Sequence, residues 1–296
     1  MKHYKNLIDL HRANGFTLPE DPLISLLQCS KTCSVEVTEF TTDFYIIGFK
    51  KLKSGSIKYG RTNYDHDNGF MYFIKPRQII SMNNLELEEE GFMLMFHEDF
   101  LNGHSLYRDV KDYHFFDYEA NEALHLSPKE EQIIWELFHK IQNEYHNNQD
   151  EYSHSIMLGH LDSILKYAQR FYKRQFINRN QISGKLFTKF NDLLARYLEK
   201  EDLAALGLPS VKFMAHALNV STRYLSDMLK QETGKTAIEL IHIHLVSEAK
   251  NRLIRDEGTV AEIAYQLGFE NPPYFSRLFK KEVGLTPNDF KRFNLN

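Results

Sequence analysis

Two stretches near the C-terminal end set hydrogen-bond donors and cations at matched positions, a pattern suited to chemistry with base edges and phosphates. Residues 224–236, YLSDMLKQETGKT, line up with residues 274–286, YFSRLFKKEVGLT, fifty positions on. Upstream, residues 210–218, SVKFMAHAL, match residues 259–267, TVAEIAYQL. In the first copy Leu225, Met228 and Leu229 recur at helical spacing and take the inward side. That leaves Thr222, Arg223, Ser226, Asp227 and Lys230 outward. In the second copy the outward set is Asn271, Pro272, Pro273, Tyr274, Arg277 and Lys281. An arginine can grip guanine O6 and N7 as a fork, and lysines neutralise phosphates. Asp227 stands where the repeat has Arg277; phosphate repels it, so it either accepts from a cytosine amine or ties down a neighbouring arginine. Pro272 and Pro273 remove amide donors from a first helical turn, where little is lost, which turns that helix toward shape and phosphate readout.

Metal and nucleophile chemistry finds no comparable pattern. Cys29 and Cys33 could be half a metal site or a redox pair, but no second pair completes a zinc set, and they read as small apolar residues. His66 lies in a turn-like segment, and His97, His104 and His114 are widely spaced. His242 and His244 are two apart on a helix, where they do not share a face. The expectation is no catalytic residue, no metal, no cofactor and no enzyme.

Each copy of the repeat needs a scaffold of a capped short helix, a tight turn and a second helix. Ser210 and Thr259 can cap the orphan amides, and Thr259 with Glu262 makes a capping box. Ala215 and Ala264 are small where two helices must cross closely. The turns are residues 219–221 and 268–271; Gly268 supplies cheap positive φ, and Gly234 and Gly284 end the second helices. Thr286, Pro287 and Asp289 start a final short helix. Two such units are the helix-turn-helix arrangement, whose second helix enters the major groove. Between them Ala237–Arg255 forms a helix launched by Thr236 and Glu239. Its length, roughly 30 Å, is close to the ~34 Å between successive major-groove faces.

The rest of the 296-residue chain is long enough for a second domain. The net charge of −4 conceals an asymmetry: residues 1–172 hold 17 Lys/Arg against 26 Asp/Glu (−9), and residues 173–296 hold 19 against 14 (+5). No apolar run reaches the ~18 residues of a membrane span, and the polar start carries no signal-peptide pattern. A cytoplasmic, nucleoid-associated protein is expected. From Cys33 to about His97 short β-rich runs alternate with turn signals, with Val35, Val37, Tyr45 and Ile47 alternating as in a half-buried strand. These strands read as a small antiparallel barrel or sandwich. Tyr45, Tyr59, Arg61, Tyr72 and Phe96 could line a pocket and equally be core and surface residues, so the effector-binding residues are unknown. Ser127, Pro128 and Glu130 open a capping box, followed by Ile133, Ile134, Leu137, Phe138 and Ile141 at helical spacing. A second helix is expected over about 152–172; the two form a dimer seam or a local hairpin on the barrel.

Residues from about Lys185 to Phe293 resemble the DNA-binding domain of the AraC/XylS family, most sharply at residues 261–293, AEIAYQLGFENPPYFSRLFKKEVGLTPNDFKRF. The resemblance implies seven helices with a long central one, and base-facing roles for Arg223, Ser226 and Asp227. It also implies, more loosely, a cupin-like N-terminal β domain, a homodimer, a small-molecule effector, and activation through RNA polymerase. The expected fold is α+β and multidomain: an N-terminal antiparallel cupin or jelly-roll-like barrel with flanking helices, then an all-α domain with two helix-turn-helix units. The expected domains are residues 1–125 for sensing, 126–172 for dimerisation, 173–183 as linker and 184–296 for double-stranded DNA. The alternatives are a barrel that only dimerises and an enzyme fused to a DNA anchor.

Overall fold

The computed structural model describes residues 2–29, 33–34, 39–50, 58–59, 62–63, 69–81, 86–87, 91–118, 122–147, 150–198, 206–255 and 257–295. Val35, Val37, Arg61 and His66 lie outside them. The chain divides into two compact units, Met1–Gln175 and Phe176–Asn296.

The first unit holds β1 (Lys2–Tyr4), α1 (Leu7–Asn14), β2 (Ile24–Cys29), β3 (Cys33–Ser34), β4 (Glu39–Thr42) and β5 (Phe44–Lys50). After them come β6 (Lys58–Tyr59), β7 (Thr62–Asn63), β8 (Phe70–Ile74), β9 (Ile80–Ser81), β10 (Glu86–Leu87) and β11 (Gly91–His97). Then follow α2 (Leu106–Asp109), β12 (Leu124–His125), α3 (Pro128–Tyr145) and α4 (Ser153–Leu198), whose second half, from Phe176, belongs to the second unit. The main sheet has five strands in the order β12-β8-β5-β11-β2, antiparallel throughout.

That order is linear, and among the described residues no pairing joins β2 back to β12, so the expected closed barrel is not found. The β1–β4 pair is parallel, so the β region is not wholly antiparallel either. The reason lies in what covers the sheet. On one face Phe49 and Phe92, opposite each other in register, meet Trp135 at 5.5 and 5.2 Å, and Phe92 stacks on Phe138 of α3 at 4.1 Å. On the other, Phe44, Ile46 and Met95 pack with Tyr4, Leu7, Leu10, Phe40 and Ile80 of α1 and the small β1-β4-β9 sheet. β5 is therefore buried on both faces rather than half-buried, and both apolar faces are covered without closure. Where Tyr72 faces Gly48 in register, its ring lies across the glycine; a Cβ there would come within 1.9 Å of Cζ.

Tyr45 and Phe96 stack at 5.1 Å inside this unit, so both are core, and burial pushes the Tyr45 hydroxyl up to about 12. His97 and His104 cap local turns, their Nδ1 atoms accepting from the amides of Asp99 and Leu106. Among the described residues no three His, Cys, Asp or Glu side chains gather in a metal-binding group. Helix α3 opens on the expected capping box: Ser127 Oγ accepts from the Glu130 amide, and the Glu130 carboxylate accepts from the Ser127 amide. Ser127→Ala is expected to lower stability by about 1 kcal/mol, measured by urea unfolding. No loss would mean the box is replaced by water.

The second helix was expected to end at Tyr172 and a linker to follow over residues 173–183. Instead α4 runs unbroken through that stretch to Leu198. Residues 173–183 hold neither Gly nor Pro, and their Lys, Arg and Gln are good helix formers, so nothing local stops the helix. Its buried positions Met157, Leu161, Leu165, Ala168 and Tyr172 are filled within the first unit, where Tyr172 stacks on Phe115 at 5.6 Å.

The second unit continues with α5 (Val211–Leu218), α6 (Thr222–Thr233), α7 (Ala237–Ile254), α8 (Val260–Gln266), α9 (Pro272–Val283) and α10 (Pro287–Leu295). Its core gathers Phe190, Met214, Leu225, Leu245, Ile263, Phe275 and Phe279, among others. Helix α7 runs through the middle, burying Ala237, Leu240, Ile241, Leu245, Val246, Ala249 and Leu253. This spread around its circumference follows from contacts to α6, α8, α9 and α10.

Candidate nucleic-acid interface

The two helix pairs, α5–α6 and α8–α9, are built alike from local chemistry. Ser210 and Thr259 cap the first helices, accepting from the amides of Phe213 and Glu262. Each first helix is followed by a residue of positive φ: Asn219, the C-cap of α5, at 56°, and Gly268, one past the Leu267 C-cap of α8, at 86°. An asparagine tolerates that conformation almost as glycine does. The chain then reverses identically: the Val220 amide donates to Ala215 O at 3.1 Å, and the Phe269 amide to Ala264 O at 3.0 Å. The turn of the second pair is one residue longer. Ser221 and Asn271 then cap α6 and α9, each accepting from a tyrosine amide at 3.1 Å, Tyr224 and Tyr274. Gly234 and Gly284 end these helices at φ 75° and 85°.

The outward faces fall as follows. On α6, Thr222, Arg223 and Lys230 are exposed, while Ser226 and Asp227 are half-buried. Arg223 Nε stands 4.0 Å from Asp227 Oδ2, one helical turn on. At the α9 end, Asn271, Pro273, Tyr274, Arg277, Lys280 and Lys281 are exposed and Pro272 is half-buried. Arg277 has no ion-pair partner among the described residues. The helices differ in charge. Two cations and two acids (Arg223, Lys230, Asp227, Glu232) leave α6 neutral; three cations against Glu282 leave α9 at +2. A polyanion therefore meets a stronger attraction at α9.

Sequence reasoning missed the inward turn of Tyr224. It is 2% exposed, and its ring meets Phe176 edge-on at 5.3 Å. Its counterpart Tyr274 is 40% exposed. The available signal was Phe176 itself, the one aromatic residue of residues 173–183. The strand Ile24–Cys29 was also missed, although its apolar run follows Pro22.

His242 and His244 lie half-buried on α7, and burial lowers both imidazoles from their ordinary range. At His242 Lys281 adds to that effect, while Glu282 and Glu239 oppose it. In the unfolded chain both titrate near 6.5, roughly the free value. The folded unit thus binds fewer protons below that point, so stability is full above about pH 6.5 and falls on acidification. Replacing both by glutamine is expected to flatten the fall of the melting temperature between about pH 7.5 and 5.5. An unchanged slope in differential scanning calorimetry would show that neither imidazole contributes.

Residues 214–292 match a family model described as a helix-turn-helix domain. Over 92 residues the chain is 41% identical to the uncharacterized transcriptional regulatory protein YesN of Bacillus subtilis (strain 168), covering 29% of this chain and 25% of that protein. Over 103 residues it is 33% identical to the bifunctional transcriptional activator/DNA repair enzyme AdaA of the same organism, covering 35% and 47%. Among solved structures, the C-terminal domain of AraT, a response regulator from Geobacillus stearothermophilus, is 30% identical with a TM-score of 0.32, covering 36% of this chain and 84% of that one. The chain thus spans about a quarter to a half of the length of these curated relatives. Residues 214–292 of the chain are thus similar to a helix-turn-helix domain found in transcriptional regulatory proteins.

Proposed function

We propose that this protein is a sequence-specific DNA-binding transcription regulator of the AraC/XylS kind, in which α6 and α9 each enter a major groove of one duplex. The observation that carries the reading is the pair of matched helix–turn–helix units with outward donors and cations on both second helices. The 18 residues of α7 span about 27 Å, which suits two reading helices placed in grooves ~34 Å apart. Thr222, Arg223, Ser226, Asp227 and Lys230 are the proposed contacts of the α5–α6 pair. Asn271, Pro272, Pro273, Tyr274, Arg277 and Lys281 are those of the α8–α9 pair. The 4.0 Å approach of Asp227 to Arg223 supports the role in which the carboxylate steers the arginine rather than a base.

The first unit is proposed as the place of effector sensing and of dimerisation, with activation through RNA polymerase carried by the family likeness alone. Among the described residues no helix is long and apolar enough to cross a membrane, which accords with a cytoplasmic regulator.

Selection of the purified protein on random duplexes at about 0.15 M salt tests the central reading. An enriched motif with two blocks about one helical turn apart is the expected result. No binding, even of residues 176–296, would overturn it. A thermal-shift screen of small metabolites tests sensing, because a ligand of the folded state raises stability by mass action. A concentration-independent monomer in sedimentation would overturn dimerisation.

A further inference from the structure

We infer that Phe176 is a positioning residue for DNA reading, holding the first turn of α6 through Tyr224 and so making the two reading helices unequal. The inference rests on the reading that α6 and α9 contact bases. Tyr224 and Tyr274 occupy the same place in the repeat, the third residue of the second helix, and both amides donate to the cap residue at 3.1 Å. Their rings differ. Tyr224 is buried, its ring edge-on to Phe176 at 5.3 Å, and Phe176 is itself only 5% exposed. Tyr274 stands on the surface, with its nearest ring partner, Phe269, at 6.1 Å.

The tyrosine at this place sits beside the side chains that would reach bases. Arg223 precedes Tyr224 directly, and Ser226 and Asp227 follow within one turn. A ring gripped from α4 fixes the rotation of that turn and with it the direction of Arg223. Phe176 lies outside residues 214–292, so the grip is supplied from beyond the matched helix-turn-helix domain. In the α8–α9 pair the tyrosine is released to face the duplex, and the Pro272–Pro273 turn supplies the stiffness instead. The first block of the site is therefore read by a turn held from α4, the second by a self-stiffened helix that offers an aromatic ring.

The test is selection on random duplexes with the full-length chain carrying Phe176→Ala, Phe176→Leu or Leu245→Ala, the last a core change inside α7. The block assigned to α6 is identified by the positions that Arg223→Ala relaxes in the same selection. Single mismatches in that block cost the wild-type protein about 5- to 150-fold each. With Phe176→Ala they are expected to cost little, while mismatches in the α9 block keep their full effect. Phe176→Leu, which keeps apolar volume, retains most of the discrimination. Leu245→Ala weakens both blocks alike, as general loosening does. Equal relaxation of both blocks by Phe176→Ala, or no relaxation, would overturn the inference while leaving the regulator reading intact. Absence of a two-block motif for the wild-type protein would end both.

Discussion

Arg277→Ala is expected to weaken binding of the full-length protein to its selected duplex by about 1–3 kcal/mol, roughly 5- to 150-fold. Three observations converge on this side chain. It projects from the second turn of α9 on the exposed face, opposite buried Phe275, Leu278 and Phe279. It has no carboxylate partner among the described residues, so its fork is not already engaged. It also stands where the first copy of the repeat has Asp227, a residue that phosphate repels. The loss should concern discrimination, with one or two positions of the α9 block losing preference. Lys281→Ala should instead weaken all duplexes alike and reduce the salt slope by about one unit. Equal affinities of wild type and Arg277→Ala for the selected site would remove Arg277 from the reading set.

Phe279→Ala is expected to destabilise the second unit by about 3–5 kcal/mol, a large share of the ~5–15 kcal/mol that holds a typical domain. The side chain is 0% exposed and touches Phe275 at 5.9 Å and Phe290 of α10 at 5.4 Å between ring centroids. It thus ties α9 to the last helix and to the core around α7. Truncation leaves a cavity that the rigid helix pairs can only partly close. Urea unfolding of residues 176–296 gives the number directly, with Phe279→Leu expected to cost less because it keeps most of the volume. A loss below about 1 kcal/mol would mean α10 and α9 repack freely. DNA binding by Phe279→Ala should fail on warming before that of Arg277→Ala, since one removes the scaffold and the other a contact.

Capping and turn chemistry act within four residues, so they are legible in the chain. Ser210, Ser221, Thr236, Thr259 and Asn271 all cap the helices they precede. Gly268, Gly234 and Gly284 all take positive φ. The periodic positions Leu225, Met228 and Leu229 are buried, and the polar positions between them face outward or lie half-buried. In the first unit the strands around Tyr45, Met71 and Phe92 follow the β-rich runs, because alternation and turn residues mark them locally.

The amino-acid sequence by itself thus determined the repeat, its caps, its turns and the outward sets on α6 and α9, since each depends on neighbours in the chain. Tertiary structure decided the rest. Among the described residues no pairing closes the main sheet, and its faces are covered by α3 on one side and by α1 with the small sheet on the other, surfaces contributed by distant segments. Tyr224 and Tyr274 hold the same place in the repeat, yet one is buried and the other is not. Tyr224 meets Phe176, far away along the chain, and a contact across such a separation leaves no period to read.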